Sequence, residues 1–118
     1  MGLFGKKDKK PAANLSSKSR LNIDVKKDGA AYTFLLEGRL DTITSPALES
    51  NINEAIPDAT KLVLDLAKLD YISSAGLRVL LGAAHALDGK GDMVVRNLNP
   101  SVEEVFELTG FSNLFNIE

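Results

Sequence analysis

Residues Asp70–Leu87 read DYISSAGLRVLLGAAHAL. A short apolar strand pattern leads in, and a helical pattern occupies most of the stretch. The spacing predicts a helix from about Ser74 to Leu87. At about 100° per residue, Leu77, Leu80, Leu81, Ala83, Ala84 and Leu87 share one broad arc that should face a sheet. On the opposite side, Ser74, Arg78, Gly82 and His85 fall within roughly 80° of one another. Val79 and Ala86 flank them. A helix face meant only for solvent would carry more Lys and Glu. A small, flat and weakly charged stripe suits the docking of another protein. The competing explanation is that Gly82 permits tight packing inside the domain. Two adjacent hydroxyls, Ser73 and Ser74, open the helix, and a cap needs only one of them.

Outward from this stretch, the chain alternates strands and helices. LNIDVKKDGAAYTFLLEG (residues 21–38) reads as a hairpin. Leu21, Ile23 and Val25 alternate with polar residues, and Tyr32, Phe34 and Leu36 alternate on the return. Asp28-Gly29 supplies the turn, and Gly38 is expected to end the second strand. Thr44 or Ser45 can cap the next helix, with Pro46 in its first turn and Leu48, Ile52, Ala55 and Ile56 at helical spacing. KLVLDL (residues 61–66) suits a central strand, and MVVRNL (residues 93–98) another. NPSVEEVFELTG (residues 99–110) carries a cap, a proline, early acids and a terminal glycine, the marks of a short helix. Residues 114–118 fit a last short strand or a helical turn. The order β-β-α-β-α-β-α-(β) implies an α/β fold: a mixed sheet of about four to five strands with right-handed crossovers and helices mainly on one face.

The 118 residues fit one domain, and a hydrophobic fraction of 44% can fill one core. The absence of cysteine excludes disulfides and thiolate chemistry, and a single histidine excludes a His-rich metal site. A net charge of -2 gives no strong pull toward nucleic acid. With no secretory signal and no spanning segment in the sequence, the expected location is the cytoplasm. Charge is uneven. The first 20 residues hold Lys6, Lys7, Lys9, Lys10, Lys18 and Arg20 against the single acid Asp8. Residues 1–20 therefore read as a flexible basic arm, and 21–118 as the folded domain. Leu3, Phe4 and the lysines would let the arm touch an anionic partner or a membrane surface, though a solvated tail is the simpler reading. Gly2 does not meet the myristoylation pattern, because Lys6 stands where Ser or Thr is required.

No P-loop, GxGxxG or GxSxG pattern is present. His85 has no acid partner nearby in sequence and reads as a solvent-facing helix residue. Asp65 reads as an acid at a strand end, facing either a cleft or solvent. A phosphate on Ser74 would sit at a helix N-terminus, where free N–H groups and the dipole favour an anion.

GRLDTITSPAL (residues 38–48), DYISSAGLRVLL (residues 70–81) and NLNPSVEEVFELTGFSNLF (residues 97–115) resemble the three signature regions of STAS domains, and more narrowly those of bacterial anti-sigma factor antagonists. The resemblance spans about residues 21–118. It implies a STAS-type sheet and a non-enzymatic role. The unphosphorylated antagonist binds an anti-sigma factor that is also a serine kinase and so frees a sigma factor. The kinase, which binds the ATP, expels the antagonist by phosphorylating it, and a PP2C-type phosphatase restores it. This chain itself would need no cofactor or metal, touch no nucleic acid, and be a monomer or weak dimer. By position, the phosphoacceptor corresponds to Ser74, with Ser73 as the alternative. Asp41 matches the acid in the neighbouring loop, Thr44 and Pro46 the start of the following helix, and Gly76 the glycine that admits a partner. Asp41, Thr44, Ser73, Ser74, Gly76, Arg78, Gly82 and His85 are therefore the expected partner-binding residues. Ser73 stands where the family has an aspartate, and Ala75 where it has a hydroxyl residue. Arg78, one helical turn on, is within reach of a phosphate on Ser74. The alternative is a non-phosphorylated STAS adaptor or scaffold in a transport, lipid-trafficking or sensory complex.

Overall fold

The computed structural model describes residues 20–118. The arm expected over residues 1–20 thus lies outside the described residues, except Arg20. The carbonyl of Arg20 accepts a 2.8 Å hydrogen bond from the Arg39 N–H, so this residue is already tied to the sheet.

The hairpin forms as its alternation requires. Strand β1 (Leu21–Asp28) pairs antiparallel with β2 (Ala31–Leu40), with Asp28 and Ala31 closing the turn. Gly29 adopts a positive φ of 62°, as this tight turn demands. Gly38 does not end β2, which continues to Leu40. Helix α1 (Ser45–Ala55) follows, then β3 (Lys61–Ile72), α2 (Ser74–Leu87), β4 (Asp92–Arg96), α3 (Pro100–Thr109) and β5 (Asn116–Ile117). The strands lie in the order β1-β2-β3-β4-β5, and every pair after the first is parallel. Each crossover steps the same way across the sheet. Right-handed connections that all step in one direction must lay their helices on one face. One core cluster accordingly joins Phe34, Leu64 and Val95 of the sheet to Leu48, Leu80 and Phe106 of the three helices.

The longest strand departs most from its sequence pattern. The alternation ends at Leu66, yet β3 runs six residues further. Its members of the core cluster step by two through Leu62, Leu64 and Leu66, then by three to Leu69 and Ile72. Each step of three is a bulge. The pairing with β2 shifts between Leu35 and Glu37 and again between Gly38 and Arg39. Two inserted residues conceal a strand from a period-two reading. The start of α3 fastens this bulged segment. The Asn99 side chain accepts from Val102 N–H at 3.1 Å and donates to the carbonyl of Leu69.

Asp65 is also misplaced by the sequence pattern. It sits in the middle of β3 and is 8% exposed, so it is neither at a strand end nor a surface acid. Its carboxylate accepts from Ala67 N–H and from Asn97 Nδ2, both at 3.0 Å, and lies 3.5 Å from Arg96 Nε. A buried carboxylate survives only with such partners.

The two glycines of α2 do opposite work. Gly76 is buried, and a Cβ there would lie 2.7 Å from Leu40 Cγ and 3.0 Å from Ile72 Cγ1. Its bare backbone lets α2 settle against the ends of β2 and β3. Gly82 is exposed, and a Cβ there would meet nothing within 4 Å. Packing inside the domain does not explain it. Gly76→Ala is therefore expected to destabilise by about 1–3 kcal/mol through overpacking. Gly82→Ala should leave stability unchanged or raise it by up to about 1 kcal/mol. Urea midpoints of the two variants check the contrast.

Candidate docking site

Leu40 and Ile72 are partners in register and are the last residues of β2 and β3. The two parallel strands thus end side by side. The Ser73 N–H donates to the Leu40 carbonyl at 2.9 Å and locks the two exits together. One exit is the Asp41 loop leading to α1; the other is the start of α2. Both helix N-termini are thereby presented at the carboxyl ends of the strands, where open α/β sheets place their sites.

The two serines separate cleanly. Ser73 is the N-cap of α2, in extended conformation, and its Oγ accepts from Gly76 N–H at 3.3 Å. Ser74 is the first helical residue and is exposed. Its hydroxyl makes no hydrogen bond to another described residue. Residue order left open which of the two hydroxyls caps; Ser73 does, because it has the extended backbone a cap requires. Serine and aspartate cap helices about equally well. Ser73 in place of an aspartate therefore keeps the structural part of that position.

Asp41 organises its loop through one carboxylate oxygen. Oδ1 accepts from the N–H groups of Ile43 and Thr44, both at 3.0 Å, and lies 3.2 Å from Thr44 Oγ1. Oδ2 lies 3.8 Å from Arg39 Nε. The Thr44 hydroxyl points back instead of capping α1. It accepts from Asp41 N–H at 2.9 Å and donates to the Arg39 carbonyl at 2.8 Å. Thr44 is buried, so it shapes the loop and offers no contact surface. Gly76 likewise faces Leu40 and Ile72 inside the domain.

The outward stripe is as the helical wheel requires: Ser74, Arg78, Gly82 and His85 are all exposed. A groove of about 370 Å³ separates it from α1, with Thr42, Pro46 and Glu49 on one wall and Ala75, Arg78 and Val79 on the other. Two features of this end escape a sequence reading. Ile43, at the tip of the Asp41 loop, is 70% exposed. An isoleucine inside a run of turn residues was the available signal. Arg39 stacks on Tyr71 with its guanidinium carbon 4.2 Å from the ring centroid. That pair arises only from the register of β2 on β3, which sets Arg39 opposite Tyr71 after the second bulge. Among the described residues, no group of three or more His, Cys, Asp or Glu is placed to hold a metal, and no helix is long and apolar enough to cross a membrane.

The molecule has the architecture of an α/β domain with one mixed five-stranded sheet and its helices on one face. It belongs to the STAS domain family, whose model matches residues 22–118. The chain is similar to BtrV of Bordetella bronchiseptica, described as a candidate anti-sigma factor antagonist, with 42% identity over 82 residues covering 68% of this chain and 71% of that one. It is similar to an anti-sigma F factor antagonist of Paenibacillus polymyxa, with 30% identity over 100 residues covering 82% and 86% of the two chains. The crystal structure of an anti-sigma factor antagonist from Mycobacterium paratuberculosis superposes with a TM-score of 0.78 at 25% identity, covering 86% of this chain and 87% of that one.

The split between the serines has a direct consequence for stability. Ser73→Ala should cost about 1 kcal/mol, and Ser73→Asp should restore most of it. Ser74→Ala should change stability by less than about 0.5 kcal/mol. Denaturant titration of the three variants measures the difference.

Proposed function

We propose that this chain is an anti-sigma factor antagonist switched by phosphorylation of Ser74. Unphosphorylated, it docks the stripe of Ser74, Arg78, Gly82 and His85, with the Asp41 loop beside it, onto an anti-sigma factor that is also a serine kinase. The sigma factor held by that kinase is then released. The reading rests on one observation above the others: Ser73 takes the capping duty, which leaves the Ser74 hydroxyl exposed and without a structural task. The exposed Gly82 agrees with it, since a glycine in mid-helix costs about 1 kcal/mol that nothing in the domain offsets. The names of the similar proteins supply the sigma-factor context.

The transfer is simple in outline. The Ser74 Oγ attacks the γ-phosphorus of an ATP held by the kinase. The Oγ–P bond forms, the bond to ADP breaks, and the hydroxyl proton passes to a base of the kinase. The added group carries a charge of about -2 and three acceptor oxygens. On a flat, weakly charged face that is enough to end docking without reshaping the domain. A PP2C-type phosphatase reverses the step: water attacks the phosphorus, inorganic phosphate leaves, and the serine hydroxyl returns. The whole cycle runs in the cytoplasm, and this chain itself binds neither ATP nor DNA.

The test is a kinase reaction with ATP and mapping of the product by mass spectrometry, alongside binding measurements. Phosphate is expected on Ser74. Ser74→Asp should weaken binding to the kinase by about tenfold or more, equivalent to about 1.4 kcal/mol, while Ser74→Ala retains it. Phosphate on Ser73 instead would move the switch by one residue. Equal affinity of the two Ser74 variants, with neither serine modified, would favour the adaptor reading.

A further inference from the structure

We propose that Arg78 is an internal clamp for the phosphate on Ser74, so that phosphorylation withdraws a cation from the docking face at the same moment as it adds an anion. This deepens the switch proposed above and rests on Ser74 as its acceptor.

Three observations carry it. First, Ser74 and Arg78 are four residues apart on α2 and both are exposed, so their side chains rise from adjacent turns of one face. The order is the favourable one, with the anion N-terminal to the cation. Second, Arg78 is uncommitted. Among the described residues it has no ion pair and no stacked ring. The two arginines of the sheet are engaged, Arg39 with Tyr71 and Asp41, and Arg96 with Asp65. Third, its guanidinium has room to move, because Arg78 lines the open groove between α1 and α2. The charged groups at this end are Arg78 on the same helix, Glu49 across the groove on α1, and Asp41 with its partner Arg39 in the neighbouring loop. Of the two cations, Arg39 is already held by Asp41 and Tyr71, which leaves Arg78 for the phosphate. A guanidinium meets a phosphate through two parallel N–H bonds, which an ammonium cannot copy.

The consequence is a larger change at the docking face than one phosphate alone would give. Before phosphorylation a partner meets a hydroxyl and a free guanidinium. Afterwards it meets a phosphate whose neighbouring arginine points inward to it. The two effects act in the same direction on a partner surface that complements a cation.

Phosphoserine installed genetically at position 74 tests the clamp without any kinase. The probe is the phosphorus NMR shift followed through the second ionisation of the phosphate, which lies near pH 6 in an unperturbed site. With Arg78 present, that ionisation should fall at least about half a pH unit below its value in Arg78→Ala. Arg78→Lys should recover only part of the difference, and Lys68→Ala, on another part of the surface, none. Identical titrations for the wild type and Arg78→Ala would overturn the clamp while leaving phosphorylation of Ser74 intact. A clear difference, found in a protein that no kinase modifies at Ser74, would support the clamp and count against the switch.

Discussion

One backbone hydrogen bond organises the strand-end surface that carries the candidate site: Ser73 N–H to the Leu40 carbonyl, 2.9 Å. It extends the parallel pairing of β2 and β3 one step beyond their last residues. Asp41 and Ser73, 32 residues apart in sequence, are thereby held as neighbours. Everything at the site follows from that. The helix that starts at Ser74 must rise directly over Leu40 and Ile72, and only a glycine at position 76 lets it do so. The Asp41 loop must turn away at once into α1, and Asp41 and Thr44 hold that turn with each other's backbone and side-chain groups.

The polar groups of the domain fall into two kinds. Asp65, Asn97 and Asn99 are committed to the fold, each satisfying a partner that burial would otherwise strand. Ser73 and Thr44 belong with them despite lying at the site. Ser74, Arg78 and His85 are exposed and hold nothing together. Stability is carried by the first group, and the proposed switch uses only the second. The phosphorylation proposed at Ser74 would therefore alter the exposed face without loosening the core.

The elements with a clean period were legible from residue order alone. Helix α2 begins and ends where the spacing of Leu77, Leu80 and Leu87 sets it. Helix α3 stops at Gly110, which adopts φ 81° as a terminal glycine does. Of the two options open for residues 114–118 the chain takes the strand, Asn116–Ile117, and a 3-10 turn at Phe111–Asn113 comes just before that stretch. The second half of β3 was not legible, because two bulges shift its core residues from a step of two to a step of three. Asp65 was misread for the same reason: with the strand ended early, a mid-strand residue looked like a terminal one.

Sequence by itself determined the order of the elements, the one-sided layering of helices, and the outward stripe that starts at Ser74. Those depend on local periodicity and on connection handedness, which residue order contains. Tertiary structure alone decided which serine caps and which is free, which glycine is a packing contact and which is open, and which acid is buried. Each of those choices turns on the register of β2 against β3. Register is set by contacts between residues far apart in the chain, and no local pattern records it.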